Sequence, residues 1–418
     1  MSTRTRLAQL AAVMVLVAAA LCAVVPPSVA GAGPGVGAAR DGWAADAGGD
    51  GWAAAAGWDG WAGTWYSAPV EAEPGGVAAR TVRNVVHTSV GGSRARVTFS
   101  NLFGTAPLDL RHTTLATAAD PARTMRTLTF RGHARISVPP GGQAVSDPLP
   151  FEVPASADLY VSVYAAGPVT WHPQAQQTSY ESWGEADRAA DPGAFAVTTG
   201  AWQYVTALDV QGAGSAAGSV VAFGDSITEG VGSTQGADRR WTDVLAGRLR
   251  EAGPAGAPRA VLNAGIGGNG LLGRLTGPSG LDRFQRDALA RAGVRTVIVE
   301  LGINDLLSGG ERNADALLAG LRELVRLGHA RGVRVLGTTL TPCGGLRVCT
   351  AEVEAVRETV NAAIREGGVY EHVIDTDRAL RSPNAPHELR APYDSGDGLH
   401  PSDAGYGVMG RGVDLGVL

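Results

Sequence analysis

The hydrophobic pattern of this chain changes period near residue 215, and the two halves call for different architectures. Upstream, Ala95, Val97 and Phe99 alternate with Arg94, Arg96 and Thr98, and Leu159, Val161 and Val163 alternate with Tyr160, Ser162 and Tyr164. A period of two belongs to strands with one face buried. Gly91-Gly92, Pro139-Pro140-Gly141-Gly142 and Asp147-Pro148 punctuate the stretch, and no sustained helical stripe interrupts it. Residues 61–210 are therefore expected to form an all-β sandwich, jelly-roll-like, long enough for a core of its own. Downstream, short apolar runs at Val220–Phe223, Ala260–Asn263, Thr296–Leu301, Arg334–Thr339 and Val373–Ile374 alternate with helical segments. The clearest helix starts at an Asn313 cap and carries Leu317, Leu318, Leu321, Leu324 and Val325 on one face. That alternation predicts an α/β domain over 220–418: a parallel sheet between two helical layers, a three-layer α/β/α arrangement of flavodoxin-like type. Residues 211–219 are read as the linker between the two.

The first 30 residues carry Arg4 and Arg6, then a run from Leu7 to Val25 without a charge, then Ser28-Val29-Ala30. This is the shape of a signal peptide with a small-x-small cleavage site, so a secreted, extracellular protein beginning near Gly31 is expected. Leu21 stands where a lipid-anchored Cys22 would need a small residue, and no stable membrane anchor is expected. Residues 31–60 are Gly, Ala and Asp with Asp-Gly-Trp-Ala recurring at Trp43, Trp52 and Trp61, too poor in aliphatic residues for a core and read as a disordered linker. Removal of the leader takes the formal charge from −5 to −7, which gives no reason to expect nucleic acid as a partner. The chain has no lysine at all, which removes P-loop phosphate binding, Schiff-base chemistry and a Ser-Lys dyad together. Cys343 and Cys349, six apart on a Pro-Cys-Gly-Gly loop, are expected to form a disulfide in an exported chain. No cofactor and no metal is expected: Glu300, Asp375 and Asp377 have no His or Cys at usable spacing.

The residues that carry chemistry fall just after the predicted strands. Val220–Phe223 runs into Gly224-Asp225-Ser226-Ile227; Asn263-Ala264-Gly265-Ile266-Gly267-Gly268 follows the second strand; Gly302-Ile303-Asn304-Asp305 follows the third; Asp397-Gly398-Leu399-His400-Pro401 lies near the end. In this set the chain resembles the SGNH/GDSL hydrolase family of esterases and lipases, over about Val220 to Leu418, and the upstream β stretch with Ser100-Asn-Leu-Phe-Gly104 is similar to exported actinobacterial members with an N-terminal β domain. The resemblance implies Ser226 as nucleophile, His400 as general base and then acid, Asp397 as the group that orients and stabilises the imidazolium, and an oxyanion hole of the Ser226 and Gly268 N–H groups with the Asn304 side chain. A serine hydroxyl is nearly inert until an imidazole takes its proton, and each fixed oxyanion donor is worth about 100- to 1000-fold in rate. Gly265, Gly267 and Gly268 all lie within reach of the donor position; Gly268 is chosen because it stands five residues after Asn263. Gly398 permits the tight turn that lets Asp397 reach the ring of His400, and Pro401 suits a first helical position with Asp403 in the first turn.

Taken singly, each of these residues has a structural reading. An Asp-Ser pair is a common helix cap, Asn304-Asp305 a common Asx-turn with Asp305 bonding the turn, and Arg239-Arg240-Trp241 a helix start beside a core tryptophan. Gly265-Ile-Gly267-Gly-Asn-Gly270 satisfies a dinucleotide-binding glycine pattern, but Asp282 and Asp287 sit in a helical stretch instead of at a strand end. The expectation is a secreted carboxylic ester hydrolase acting on short acyl or acetyl esters, small or polymer-bound, possessing activity that falls below about pH 6, where imidazole charges. The alternative is a carbohydrate- or cell-wall-binding protein whose hydrolase-like half is inactive.

Overall fold

The computed structural model describes residues 60–71, 77–182, 184–193, 195–212, 218–252, 259–308 and 312–418. The expected leader at 1–30, the linker tryptophans Trp43 and Trp52, and most of the 211–219 spacer lie outside the described residues. Trp61 lies within them. It opens the strand Trp61–Tyr66, is buried, and has the Arg96 guanidinium 4.5 Å above its ring, so this member of the tryptophan repeat is part of a core.

The β region is built from antiparallel sheets. One joins Trp61–Tyr66, Val205–Gln211 and Gly92–Ser100 in that order; another runs Ser179–Glu181, Val77–His87, Asp158–Gly167, Leu108–Thr117. Val97, Phe99 and Leu208 from the first share one apolar cluster with Val82, Leu110, Leu115, Leu159, Val161 and Val163 from the second. The alternation thus points inward as expected. Ser162, on the opposite face, is also buried, because Arg83 lies over that face, donating from Nε to Ser162 Oγ (3.0 Å) and from Nη1 to Gly193 O (2.7 Å). A small third sheet pairs Val70–Glu71 and Trp202–Gln203 with Thr170–His172.

The α/β region has a five-stranded parallel sheet of β1 (Ser219–Gly224), β2 (Ala260–Gly265), β3 (Val294–Glu300), β4 (Arg334–Thr338) and β5 (Val373–Ile374), ordered β2-β1-β3-β4-β5. Its helices are α1 (Ser226–Glu229), α2 (Trp241–Glu251), α3 (Ile303–Leu307), α4 (Ala314–His329), α5 (Ala351–Glu366) and α6 (Asp403–Gly412), among shorter turns. Helix α2 packs with α6, and α4 packs with α5. With right-handed crossovers and a reversal of direction at β1, these pairs fall on opposite faces of the sheet. Asn313 caps α4 through Asp315 N, and Leu317, Leu318, Leu321 and Leu324 are buried. Helix α2 begins at Arg240, bonded to Asp243, beside buried Trp241. Helix α6 starts later than expected: Ser402 is its cap, and Pro401 instead pairs with Asp394 just before it.

The described residues of both regions belong to one compact unit. Trp61–Tyr66 is buried on both faces for that reason. A Cβ on Gly63 would come within 2.7 Å of Leu262 Cδ1, and Tyr66 Oη donates to Asp287 Oδ1 at 2.7 Å.

Candidate active site

In a parallel sheet whose strand order reverses, ligand sites form beyond the carboxyl ends of the strands at the reversal. Here the reversal is at β1, and Ser226 follows its last residue by two. Gly224 has to be glycine: a Cβ would meet Thr228 Oγ1 at 2.2 Å and Glu300 O at 2.3 Å. Asp225 then caps α1 by accepting from Ile227 N (3.0 Å), which leaves Ser226 as the first helical residue with its side chain free of the cap.

Across from it, Ser226 Oγ lies 2.8 Å from His400 Nε2, and His400 Nδ1 lies 2.6 Å from Asp397 Oδ2. A carboxylate can only accept, so Nδ1 carries the proton and Nε2 presents a lone pair to the serine hydroxyl. The other oxygen, Asp397 Oδ1, accepts from Leu399 N (2.9 Å) and His400 N (2.8 Å). Burial alone would raise this carboxyl; the His400 ring and those two N–H groups outweigh it and hold it well below the usual carboxylate range. Gly398 makes the turn at φ +80° with its Cβ position 2.7 Å from Gly345 C, so the Cys343–Cys349 loop backs directly onto it. That loop is closed by the expected disulfide, with a Cα–Cα distance of 5.7 Å.

The second and third blocks meet the first. Asn304, on α3, donates from Nδ2 to Asp225 Oδ2 and to Asn269 O, both at 3.1 Å. Of the three glycines that could supply a backbone donor, Gly265 gives its N–H to Asn263 Oδ1 (2.9 Å), while those of Gly267 and Gly268 have no acceptor among the described residues; the Ser226 N–H has none either. Gly268 stands at φ +71°. Asp305 holds the loop that follows by accepting from Leu271 N (2.7 Å) and Leu272 N (2.9 Å).

Several residues of the site went unread in the sequence. Arg283 is fully buried and ties three strand ends and loops together, donating to Gly224 O (2.7 Å), Ala264 O (2.8 Å) and Asn269 Oδ1 (2.9 Å) while its guanidinium lies 4.1 Å over Phe223. Glu300, at the end of β3, accepts from Thr228 Oγ1 at 2.9 Å. It is buried beside Asp225; burial raises both carboxyls, and the nearness of Asp225 raises Glu300 further. From the β region, His172 reaches Glu229, the last residue of α1, with Nε2–Oε1 2.8 Å. Glu300 ended an apolar run and so offered a local signal, a charge where a core residue is expected. Arg283 and His172 offered none, since the groups they hold at Gly224, Ala264, Asn269 and Glu229 lie on other elements with no motif linking them.

Two clusters among the described residues have the composition of cation ligands. Cys343, Cys349 and Glu354 form one, but the sulfurs are joined to each other. His87, Asp158 and Asp238 form the other, with Nδ1 at 2.8 and 3.0 Å from the two carboxylates. Burial pushes His87 down, yet its hydrogen bonds to Asp158 and Asp238 overcome this and raise it to about 9, so an imidazolium stands where a cation would. The glycine pattern at Gly265–Gly270 leads into a loop and not into a helix; Asp287 there is paired with Arg283 and Arg286.

No curated protein matches the chain. Among solved structures it is similar to a GDSL-like lipase from Bacteroides thetaiotaomicron (19% identity, 47% of this chain and 85% of that one, TM-score 0.35). It is similar also to the lipase/acylhydrolase from Enterococcus faecalis (22%, 46% and 92%, 0.34) and to an acetyl xylan esterase from Geobacillus stearothermophilus (21%, 47% and 92%, 0.35). Residues 222–408 match the GDSL-like Lipase/Acylhydrolase family, a span that contains all four blocks. Over residues 222–408 the chain carries a GDSL-like lipase/acylhydrolase domain, the domain of an ester hydrolase.

Proposed function

We propose that the chain is a secreted serine esterase working through an acyl-enzyme, with Ser226 as nucleophile, His400 as base and acid, and Asp397 as the group that orients His400. The observation that carries this reading is the unbroken line Asp397–His400–Ser226, with contacts of 2.6 and 2.8 Å. Ser226 Oγ attacks the ester carbonyl as its proton passes to His400 Nε2; the tetrahedral oxyanion is received by the N–H groups of Ser226 and Gly268 and by Asn304, which turns one Nδ2–H away from its resting acceptor. Collapse expels the alcohol with the proton from His400. Water, deprotonated in turn by His400, attacks the acyl carbonyl and restores Ser226. The uncommitted N–H groups of Ser226 and Gly268 support the oxyanion assignment.

In this reading residues 1–30 are a leader, 31–60 and 211–219 are linkers, 61–210 is a jelly-roll-like sandwich, and 220–418 is a flavodoxin-like three-layer domain. Secretion is supported by the leader pattern and by a disulfide. No helix among the described residues is long and apolar enough to cross a membrane. The loop bearing the Gly268 donor is Gly-Ile-Gly-Gly-Asn-Gly, poor in large apolar side chains, which supports short acyl or acetyl groups on a small or polymeric alcohol. The mature chain should release p-nitrophenol from p-nitrophenyl acetate and take up a fluorophosphonate. Ser226→Ala should lose both, with activity down at least about 10⁴-fold; undiminished turnover by that variant would remove the assignment.

A further inference from the structure

We propose that His172 and Glu229 are positioning residues, through which the β region holds the nucleophile helix and the oxyanion turn in register; this rests on the esterase reading above. A four-residue helix cannot hold itself in place, because nucleating a single turn costs more than its one or two hydrogen bonds return. Ser226 therefore depends on what grips α1 at each end. Asp225 caps the start. At the far end the grip is Glu229, and the residue that grips Glu229 comes from the other region.

The link is directional. A carbonyl and a carboxylate both only accept, so both ring nitrogens of His172 donate, Nδ1 to Ala68 O at 2.8 Å and Nε2 to Glu229 Oε1 at 2.8 Å. The ring is wedged against Trp202, 5.5 Å between centroids, and both side chains of the pair are about 95% buried or more. Glu229 Oε2 is buried with no hydrogen-bond partner among the described residues, so His172 alone orients the carboxyl. That carboxyl and its backbone in turn shape the second block. A Cβ on Gly265 would come within 2.2 Å of Glu229 N, and one on Gly267 within 2.7 Å of Glu229 Oε2. The turn that presents Gly268 is thus moulded on Glu229, and a shift of Glu229 moves nucleophile and oxyanion donor together.

The same small sheet braces the loop beyond. Glu71 pairs with Arg274, and Val70 Cγ1 lies 3.1 Å from the Cβ position of Gly277, on the stretch that runs on from Gly268. Val70–Glu71 pairs directly with Thr170–His172. Two contacts of one sheet therefore fall on the two catalytic loops.

The test uses the full mature chain, with p-nitrophenyl acetate turnover, fluorophosphonate labelling rate and circular dichroism measured for each variant. His172→Phe keeps the ring against Trp202 but cuts the link, and Glu229→Ala cuts it from the other side. Both should lower kcat about 10- to 100-fold with KM within about 2-fold and the spectrum unchanged, and the double variant should be no worse than the poorer single one. Glu229→Gln, whose amide oxygen can still accept from His172 Nε2, should recover most of the rate. Wild-type kcat in both link-cutting variants, a loss no larger than the unfolded fraction, or a Glu229→Gln as slow as Glu229→Ala would each overturn the proposal. Ser226→Ala separates the two levels: if it is inactive while the link-cutting variants are folded and fully active, the esterase reading stands and the positioning role falls.

Discussion

The division of labour among single side chains follows from what each can donate or accept. Asp397 is useful because it stays ionised. Its depressed pKa means that the hydrogen bonds it accepts from His400 and Leu399 add stability above the ordinary carboxylate range, and that this is lost as pH falls through the depressed value. The acid limb of kcat should accordingly carry no step from Asp397, and a step in the carboxylate range that Asp397→Asn abolishes would contradict the assignment. Asp397→Asn should keep the turn but reverse the preference for a proton on Nδ1, lowering kcat by about 10³- to 10⁴-fold. Asn304→Ala removes one oxyanion donor and should lower kcat by about 100- to 1000-fold, with KM far less affected. Steady-state kinetics on purified variants decide both. Glu300 shows the opposite electrostatic design: burial and the neighbouring Asp225 push its carboxyl up, because two ionised carboxylates at that depth would repel.

Among elements, the turn at 397–400 is held from behind by the disulfide loop. Gly345 and Gly398 approach so closely that a side chain on either would strike the other's backbone, at 2.6 and 2.7 Å. The cross-link keeps Gly345 in that position. Cys343→Ser with Cys349→Ser should lower stability by about 2 kcal/mol, the closure entropy of so short a loop, as read in urea denaturation. It should also lower kcat, because the support behind Asp397 and His400 loosens. Full activity in a reduced but folded protein would show that the turn stands unaided.

At the scale of the whole molecule, the two regions are joined by charge as well as by apolar contact. His87 and Asp158 belong to the β region and Asp238 to the α/β region, and His87 and Asp238 border a cavity of about 300 Å³ also lined by Arg240 and Arg250. The folded His87 has its pKa raised from 6.5 to about 9, so its contribution to stability is complete below 6.5 and disappears as pH rises through about 9. The unfolding midpoint should fall across that window in the native chain, and His87→Gln should flatten the dependence. A wild-type midpoint that is level between pH 6 and 9.5 would refute the ion-paired latch.

The strands of the α/β region were legible almost to the residue, because a strand buried on both faces must be a short apolar run and the chain has five of them. That the Ser226, Asn304 and His400 motifs would come together was legible too, since each stands in a turn that the proposed chemistry restricts to a few residue types. Their local motifs determined which residues would meet, and the capping of α6 by Ser402 instead of Pro401 changes only the edge of that picture. What tertiary structure alone decided is how the site is held. Arg283, His172 and the strand Trp61–Tyr66 act on partners up to 221 residues away, and pairing at that separation leaves no periodicity or spacing to read. The β region and the hydrolase sheet each announced a core of their own; that their touching faces would also be apolar and ion-paired is a property of shape, which exists only once both have folded.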